Sequence, residues 1–483
     1  MLKKMVRLWS LWFGIIPLVL SILAFFMMNV SSLMIGALAT LIVGGLLAGF
    51  IASIKQEIWE KSGHNVLFFL YPLAYTAVLW AVFMLISGGF YGSEVWWYYG
   101  ISHIAMAPIY FMAMFMGEGR LFLWAPLVYE LAFAAAIMAS VAFGKLRPAF
   151  HKKQLLSILL VFALAISTGA AVEWHRSKTV LPSYGFKYGG GYSSTDLTPY
   201  EVTNPDNKLP QLNAKSSFII SNPNEMPILD GAEAAYPVYS GFANATYENI
   251  KNVMAEKEVV TFTNTIYAYE RLLSGEIDIY FGAEPSKEQQ EMAKKAGKEL
   301  VMTPIGKEAF VFFVNHKNPV DDLSVAEIKG IYSGKIKNWS KLGGKQARII
   351  AFQRPKNSGS QTLLEKIMGE TPIIEPLKED VPEGMGGIIE QVADYRNYDN
   401  SIGFSFRFFA TGMSPNPDIK LLAINGIEPT PKNIGSGKYP FTANLYAITL
   451  KDNRKQQVQP FLKWMQGPQG QEIVEKIGYI PVN

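Results

Sequence analysis

The sequence predicts an α-helical membrane region followed by an α/β domain. The chain is 483 residues long, 49% hydrophobic and only 17% charged, with a mean hydropathy of +0.14. That balance is too apolar for a fully soluble chain of this size and far from that of a disordered one. Charge-free stretches crowd the first third; no residue from Leu8 to Ile54 is charged. From about Lys215 the pattern changes to short β-branched or aromatic runs alternating with helical ones, which argues for an α/β domain with mainly parallel sheets. The expected organisation is a membrane region over 1–175, a linker over 176–214 and an α/β domain over 215–483.

Charge supports the same seam. Residues 1–175 carry ten basic side chains against six acidic ones, the whole net charge of +4, and the remainder is neutral. The pI of 8.7 therefore reflects membrane-flanking charge, and nothing supports nucleic-acid binding. Cysteine is absent, which removes disulfides, thiolate metal sites and cysteine nucleophiles.

Within the first region, Leu8–Ile54 is too long for one span and suits two, turning near Asn29–Ser32. Further candidates are Val66–Ile86, Val95–Met116, Leu121–Phe143 and Gln154–Val172, with Trp96–Tyr99 as an interfacial aromatic belt. Lys3, Lys4 and Arg7, then Lys55 and Lys61, then Lys145, Arg147, Lys152 and Lys153 each favour the inner side of the membrane. The region is expected to hold five or six transmembrane helices. Five crossings satisfy all three clusters and place the C-terminal domain outside the cell, whereas six put the third cluster outside, and five are preferred. One candidate between residues 65 and 143 then lies in the interface or re-enters. His103 and Glu130 sit at similar depth and can pair, either as a polar contact between helices or as part of a proton or ion pathway.

Residues 176–214 lack helical period. Tyr184–Ser194 interleaves tyrosine and glycine, and Pro182, Pro199, Pro205 and Pro210 punctuate the rest, the composition of a tether or a loosely packed extension. In the soluble part, Ile228-Leu229 reads as a strand, Pro237–Glu256 as a helix, Val259–Phe262 as a strand and Thr265–Leu273 as a helix stopped by Gly275. Ile277–Phe281 is a strand, Ser286–Lys298 a polar helix and Phe310–Val314 a strand. Ser324–Glu327 is a capping box, Ile349–Phe352 a strand, and Gly359 opens a helix.

The segment from Phe352 to Thr362 carries the chemistry. A strand end, a loop of small hydroxyl residues and a helix start aim N–H groups and the helix dipole at one point, where an anion is favoured. Arg354 adds a charge-assisted fork to an oxyanion. The same segment also reads as a simply N-capped helix with Arg354 in a surface ion pair. It is not a P-loop. Of five histidines only His316 lies in the soluble part, so no multi-histidine metal site is expected there. No nucleophile elbow accompanies His316. No enzyme activity, metal or cofactor is expected.

Several motifs in order closely resemble the PstS-type phosphate-binding proteins of ABC transporters. They are Leu229–Pro237, Asn318–Val320, Leu323–Trp339, Gly343-Gly344, Arg354 with Ser358–Thr362, and Gly470-Gln471 with Gly478–Pro481. The resemblance covers about 226–483. It implies a type II periplasmic-binding fold: two α/β lobes, the second over roughly 310–445, two crossover strands near Ala309–Val314 and Phe441–Ile448, and a cleft between the lobes. It further implies that Arg354, Ser358, Gly359, Ser360 and Thr362 match the second-lobe ligand loop. Thr263 and Thr265 fall near the first-lobe hydroxyl position, and Glu284 falls where the family has an Asp that accepts a phosphate proton.

Two departures matter. The resemblance leaves residues 1–214 uncovered. At Ala232–Ala235 the family's helix-start hydroxyl is replaced by Glu233. A carboxylate facing the cleft, about 4 Å from a bound anion, repels it by roughly 4 kcal/mol at an effective dielectric of 20. Glu233→Thr is then expected to strengthen phosphate binding. If Glu233 instead accepts a proton from monobasic phosphate, the change weakens it. The expected protein is a multi-pass membrane protein in contact with the lipid bilayer, with an extracytoplasmic domain that binds inorganic phosphate or a related oxyanion for an ABC permease. The alternative is a ligand-sensing or interaction module coupled to the membrane helices, with an altered anion site.

Overall fold

The computed structural model describes residues 2–27, 33–54, 65–115, 119–143, 152–181, 195–383, 387–413 and 415–482. Two compact units divide the chain: Met1–Gly191 with Lys378–Gln391, and Tyr192–Leu377 with Val392–Asn483. The division thus falls inside the expected linker and assigns a short internal excursion to the first unit. The turn near Asn29–Ser32, the charges at Lys55, Lys61, Lys145 and Arg147, and most of the tyrosine–glycine tether lie outside the described residues.

The first unit is helical. α1 (Leu2–Ser10) continues through a π-turn (Leu11–Ile15) into α2 (Ile16–Met27); α3 (Leu33–Ile54) and α4 (Asn65–Ser87) follow. α5 (Val95–Ser102), a 3₁₀ turn (Ile104–Met106) and α6 (Ala107–Phe115) precede α7 (Leu121–Ala142) and α8 (Lys152–Arg176). Among the described residues five stretches are long and apolar enough to cross a bilayer: Val6–Phe26, Ile35–Ile54, Leu70–Ser87, Leu121–Ser140 and Lys153–Arg176. The candidate Val95–Met116 is broken at His103, into pieces of eight and nine residues, each far short of the roughly 20 that a bilayer needs. Of the three candidates between residues 65 and 143 it is the one not long enough to cross. Pro108 has no N–H to offer the Ile104 carbonyl, so a continuous helix loses a rung there.

Close approach holds the helices together. A Cβ on Gly45 would lie 2.7 Å from the Tyr129 carbonyl oxygen, and one on Gly49 2.5 Å from that of Phe133. Spaced four apart on α3, the two glycines admit α7 with Ala132 and Ala136 against them, a small-residue interface typical of membrane helices. After α8, β1 (Val180–Leu181) pairs in parallel with the strand that begins at Lys378.

The second unit begins with β2 (Leu229–Gly231), a 3₁₀ turn (Glu233–Ala235), α9 (Tyr236–Thr246), α10 (Ile250–Glu256), α11 (Asn264–Ser274) and β3 (Ile279–Gly282). The single helix expected over Pro237–Glu256 is therefore two. Tyr247 turns the chain, its hydroxyl donating to the Pro227 carbonyl at 2.7 Å, and Asn249 takes a left-handed φ of 53°. Val259–Phe262 makes one bridge, Val260 to Leu229, instead of a strand.

α12 (Lys287–Lys295), β4 (Leu300–Asn315), β5 (Asp322–Leu323), α13 (Val325–Tyr332), β6 (Ile350–Ala351) and α14 (Gly359–Met368) follow. Both α12 and α13 open on complete capping boxes, Ser286 with Gln289 and Ser324 with Glu327. The excursion into the first unit consists of β7 (Lys378–Glu383) and β8 (Gly387–Val392). There Arg176 donates to Asp380 and Glu390 at 2.7 Å each. β9 (Ser401–Phe406), β10 (Ile419–Leu421), β11 (Ala423–Ile424), α15 (Pro431–Gly435), β12 (Thr442–Leu450), α16 (Val458–Gln466) and α17 (Pro468–Ile477) complete the chain.

Strand order in the main sheet is β2-β3-β12-β4-β9-β6, with β10 also on β4. β2 with β3 and β6 with β9 are parallel, but β12 and β4 run antiparallel to their neighbours. The sheet is therefore mixed, not mainly parallel as its βα alternation predicts. Strands that pass from one lobe to the other and back must run in opposite senses. β4 is the long crossover: Leu300–Ala309 pairs with β12, and Phe310–Val314 with β9. One core, around Tyr239, Phe242, Phe281 and Trp464, lies on the first-lobe side. Another, around Phe312, Tyr332, Trp339 and Phe404, lies on the second.

Two buried acids anchor this frame. Asp230, fully buried in the middle of β2, accepts N–H groups from Gly231 at 2.8 Å and Thr263 at 2.9 Å. It also accepts the Thr263 hydroxyl at 2.7 Å and pairs with Arg271. Glu308, in the crossover β4, accepts the N–H groups of Ala309 at 2.8 Å and Phe408 at 3.0 Å. Burial pushes its pKa from 4.5 up to about 7, against the opposing pull of those two bonds and of Arg407.

Asp230→Ala leaves Arg271 and the Thr263 loop without their partner and should cost about 3–5 kcal/mol, read as lost hydrogen-exchange protection in β2 and β3. For Glu308 the folded state holds its proton more tightly than the unfolded chain. Its stabilising contribution is full below pH 4.5 and is lost as pH rises through about 7, roughly 3 kcal/mol in all. Denaturation of the full chain at pH 5 and pH 8 should show this slope, and Glu308→Gln should flatten it; equal slopes would refute the assignment.

Candidate functional site

The second-lobe side of the site is built by the end of β6 and the start of α14. Ser358 is extended (φ −70°, ψ 147°) and caps α14, its Oγ accepting the Gln361 N–H at 3.3 Å. Asn357, at φ 65°, makes the left-handed turn before it. Gln361 Oε1 accepts the Arg354 backbone N–H at 3.0 Å, and Gln361 Nε2 donates to Gln353 Oε1 at 3.1 Å. These bonds close the loop, so that Arg354 and the free N–H end of α14 face the same space.

That space is a cavity of about 260 Å³. Arg354, Ser358, Gly359 and Ser360 line it from the second lobe, and Glu233, Thr265 and Ala283 from the first. Phe313, Tyr395, Phe404, Phe406 and Phe409 supply apolar walls. Six of the nine predicted site residues thus meet here. Burial raises the pKa of Glu233, opposed by a hydrogen bond with Thr195 and by the charge of Arg354. Its Oε1 is buried with no hydrogen-bond partner among the described residues. Arg354 also reaches Asp394, Nη1 to Oδ1 at 3.2 Å.

The other three residues lie off the cavity. Thr263 spends both its N–H and its hydroxyl on Asp230. Thr362 sits one turn into α14 with its Oγ1 buried and without a partner among the described residues. Glu284 pairs with Lys366 at 2.7 Å and lines a separate cavity. That pair is one of several links between the lobes. Glu288 reaches Lys356 at 2.8 Å and accepts from Asn357 at 3.0 Å, while Ser286 donates to Asn357 at 2.8 Å. The lobes are therefore in contact beside the cavity. Among the described residues no group of His, Asp and Glu could hold a metal ion.

Sequence reasoning missed Asp394 and Tyr395, which follow β8 with no motif around them. It also missed Thr195, in a segment read as linker. The only signal for the first two was position, since the chain returns to the second unit at Val392.

A family model for the PBP superfamily domain matches residues 228–469. The phosphate-binding protein PstS of Bacillus subtilis (strain 168) is 31% identical over 170 residues, covering 35% of this chain and 53% of that protein. PstS of Borreliella burgdorferi is 27% identical over 200 residues, covering 40% and 69%. The chain thus spans about half the length of the Bacillus relative. Among solved structures, an ABC-type phosphate transport receptor from Vibrio cholerae is 19% identical with a TM-score of 0.39, covering 53% of this chain and 99% of that one.

Proposed function

The chain belongs to the PBP superfamily through residues 228–469, and we propose that it is a membrane-anchored, extracytoplasmic phosphate-binding protein serving an ABC permease. The observation that carries this reading is the convergence of Arg354, the N-terminus of α14 and Glu233 on one small cavity. A helix start and a guanidinium favour an oxyanion. The relatives named for phosphate binding point to phosphate among oxyanions, and the five long apolar helices supply the anchor.

Glu233 decides the form of the anion. Its Oε1 is a buried acceptor without a donor among the described residues, and a P–OH group supplies one. Glu284 is held by Lys366, so the proton-accepting role passes to Glu233. This reverses the repulsion expected from sequence. Sulfate, which has no proton to give at neutral pH, meets only the repulsion.

A second reading, a ligand sensor coupled to the membrane helices, is favoured by one observation. The β7–β8 excursion belongs to the membrane unit and lies two residues before Asp394, the partner of Arg354. Removing residues 1–150 behind a single replacement anchor tests it. Unchanged phosphate uptake argues against a role for the bundle in sensing.

Calorimetry on the full chain in lipid nanodiscs should show phosphate binding that Arg354→Ala abolishes. Glu233→Thr should weaken it by about ten- to a hundredfold, the loss of a charged hydrogen bond. Affinity should fall as pH passes the second ionisation of phosphate. A tenfold gain in Glu233→Thr would restore the repulsion reading, and no heat with millimolar phosphate would remove the ligand assignment.

A further inference from the structure

We propose that the membrane unit holds a second binding site, at the break between α5 and α6, for an apolar molecule carrying one protonated amine. A cavity of about 740 Å³ opens there, within the size range of small-molecule pockets. Trp9, Phe13, Tyr75 and Tyr129 are among its walls. Among the described residues its lining contains one carboxyl, Glu130, one imidazole, His103, and no lysine or arginine.

Glu130 is only 8% exposed. Its Oε1 accepts the Thr76 hydroxyl at 3.1 Å, while its Oε2 is buried without a partner among the described residues. Thr76 Oγ1 also lies 2.9 Å from His103 Nε2. His103 Nδ1 is 3.1 Å from the Tyr99 carbonyl oxygen, which only accepts, so Nδ1 carries a proton. Thr76 has one hydroxyl proton for two neighbours. Directed to Glu130, it requires His103 to be an imidazolium that donates through Nε2. Directed to His103, it requires Glu130 to be a carboxylic acid. Both arrangements satisfy every bond, and both are neutral overall.

The cluster thus stores one exchangeable proton. When that proton leaves, a net negative charge remains in an apolar wall, which is costly unless a cation replaces it. An ammonium at the open Oε2 is such a cation, and aromatic faces beside it add cation–π attraction. The proton and the amine therefore compete. Among the described residues the other titratable groups facing the cluster are tyrosines: Tyr75 on α4, with its ring 6.2 Å from the imidazole, Tyr99 on α5 at 4.4 Å, Tyr110 on α6, which donates to the Phe122 carbonyl, and Tyr129 on α7, which donates to the Trp12 carbonyl. None carries positive charge to take the place of the amine. The site is independent of the phosphate reading.

The test uses the full chain in lipid nanodiscs and dicyclohexylcarbodiimide, an apolar reagent that modifies protonated carboxyls, with adducts located by mass spectrometry. Glu130 should be labelled, with Glu94 and Glu173 as internal references, and Glu130→Gln should remove that adduct. N,N-dimethyldodecylamine should slow labelling of Glu130 by about tenfold, equivalent to 1.4 kcal/mol. N,N-dimethyldodecanamide, of the same chain length but uncharged, should have little effect. Protection by the amine should deepen as pH rises. Absence of a Glu130 adduct, or equal protection by both compounds, would overturn the proposal, and the wild-type comparison decides it even if Glu130→Gln fails to fold.

Discussion

One buried carboxylate, Asp230, sets the first-lobe side of the cleft. Left unpaired it would be a buried charge without compensation, so the chain must bring it donors. Those donors come from three places: the last residue of β2, the residue before α11, and Arg271 on α11 itself. Fixing them also fixes the turn that carries Glu233 and the helix start that carries Thr265. The two side chains line the cavity because neighbours in sequence have been tied to Asp230.

The second lobe solves the same problem without a charge. Gln361 joins the Arg354 backbone to Gln353, and Gln353 reaches the Ile374 carbonyl at 2.7 Å. The result is a cleft with a hydrogen-bonded floor on both sides and one cationic side chain, Arg354, that lines the cavity and pairs with Asp394. The two glutamates of the first lobe have separate tasks. Glu233 faces the cavity, whereas Glu284 bridges the lobes through Lys366.

Much of this was legible in the sequence where the governing interactions are local. The polar helix opening at Ser286, the capping box at Ser324, the stop at Gly275 and the small-hydroxyl loop before α14 each depend on residues within four positions. The sidedness of basic charges, counted over the whole region, indicated that one of three candidates between residues 65 and 143 does not cross, but not that the break falls in the α5–α6 stretch. What escaped depends on distant partners. Glu284 meets Lys366 across 82 residues, and Thr263 is consumed by an aspartate 33 residues away. The turn at Tyr247 relies on the Pro227 carbonyl and on Ile220. No local pattern announces that β7 will take a two-residue strand near 180 as its neighbour.

That last pairing has a consequence for how such a chain can be cut or recombined. Because β7 and β8 complete a sheet with β1, a fragment starting at residue 192 would keep the hairpin and lose the strand beside it. Its bared edge would present unpaired N–H and C=O groups to any other chain, the usual route to domain swapping and aggregation. The two units are therefore not interchangeable modules separated by a single joint. A gene fusion that attached this PBP superfamily domain to a different N-terminal unit would have to supply a new neighbour for β7, or dispense with β7 and β8 altogether.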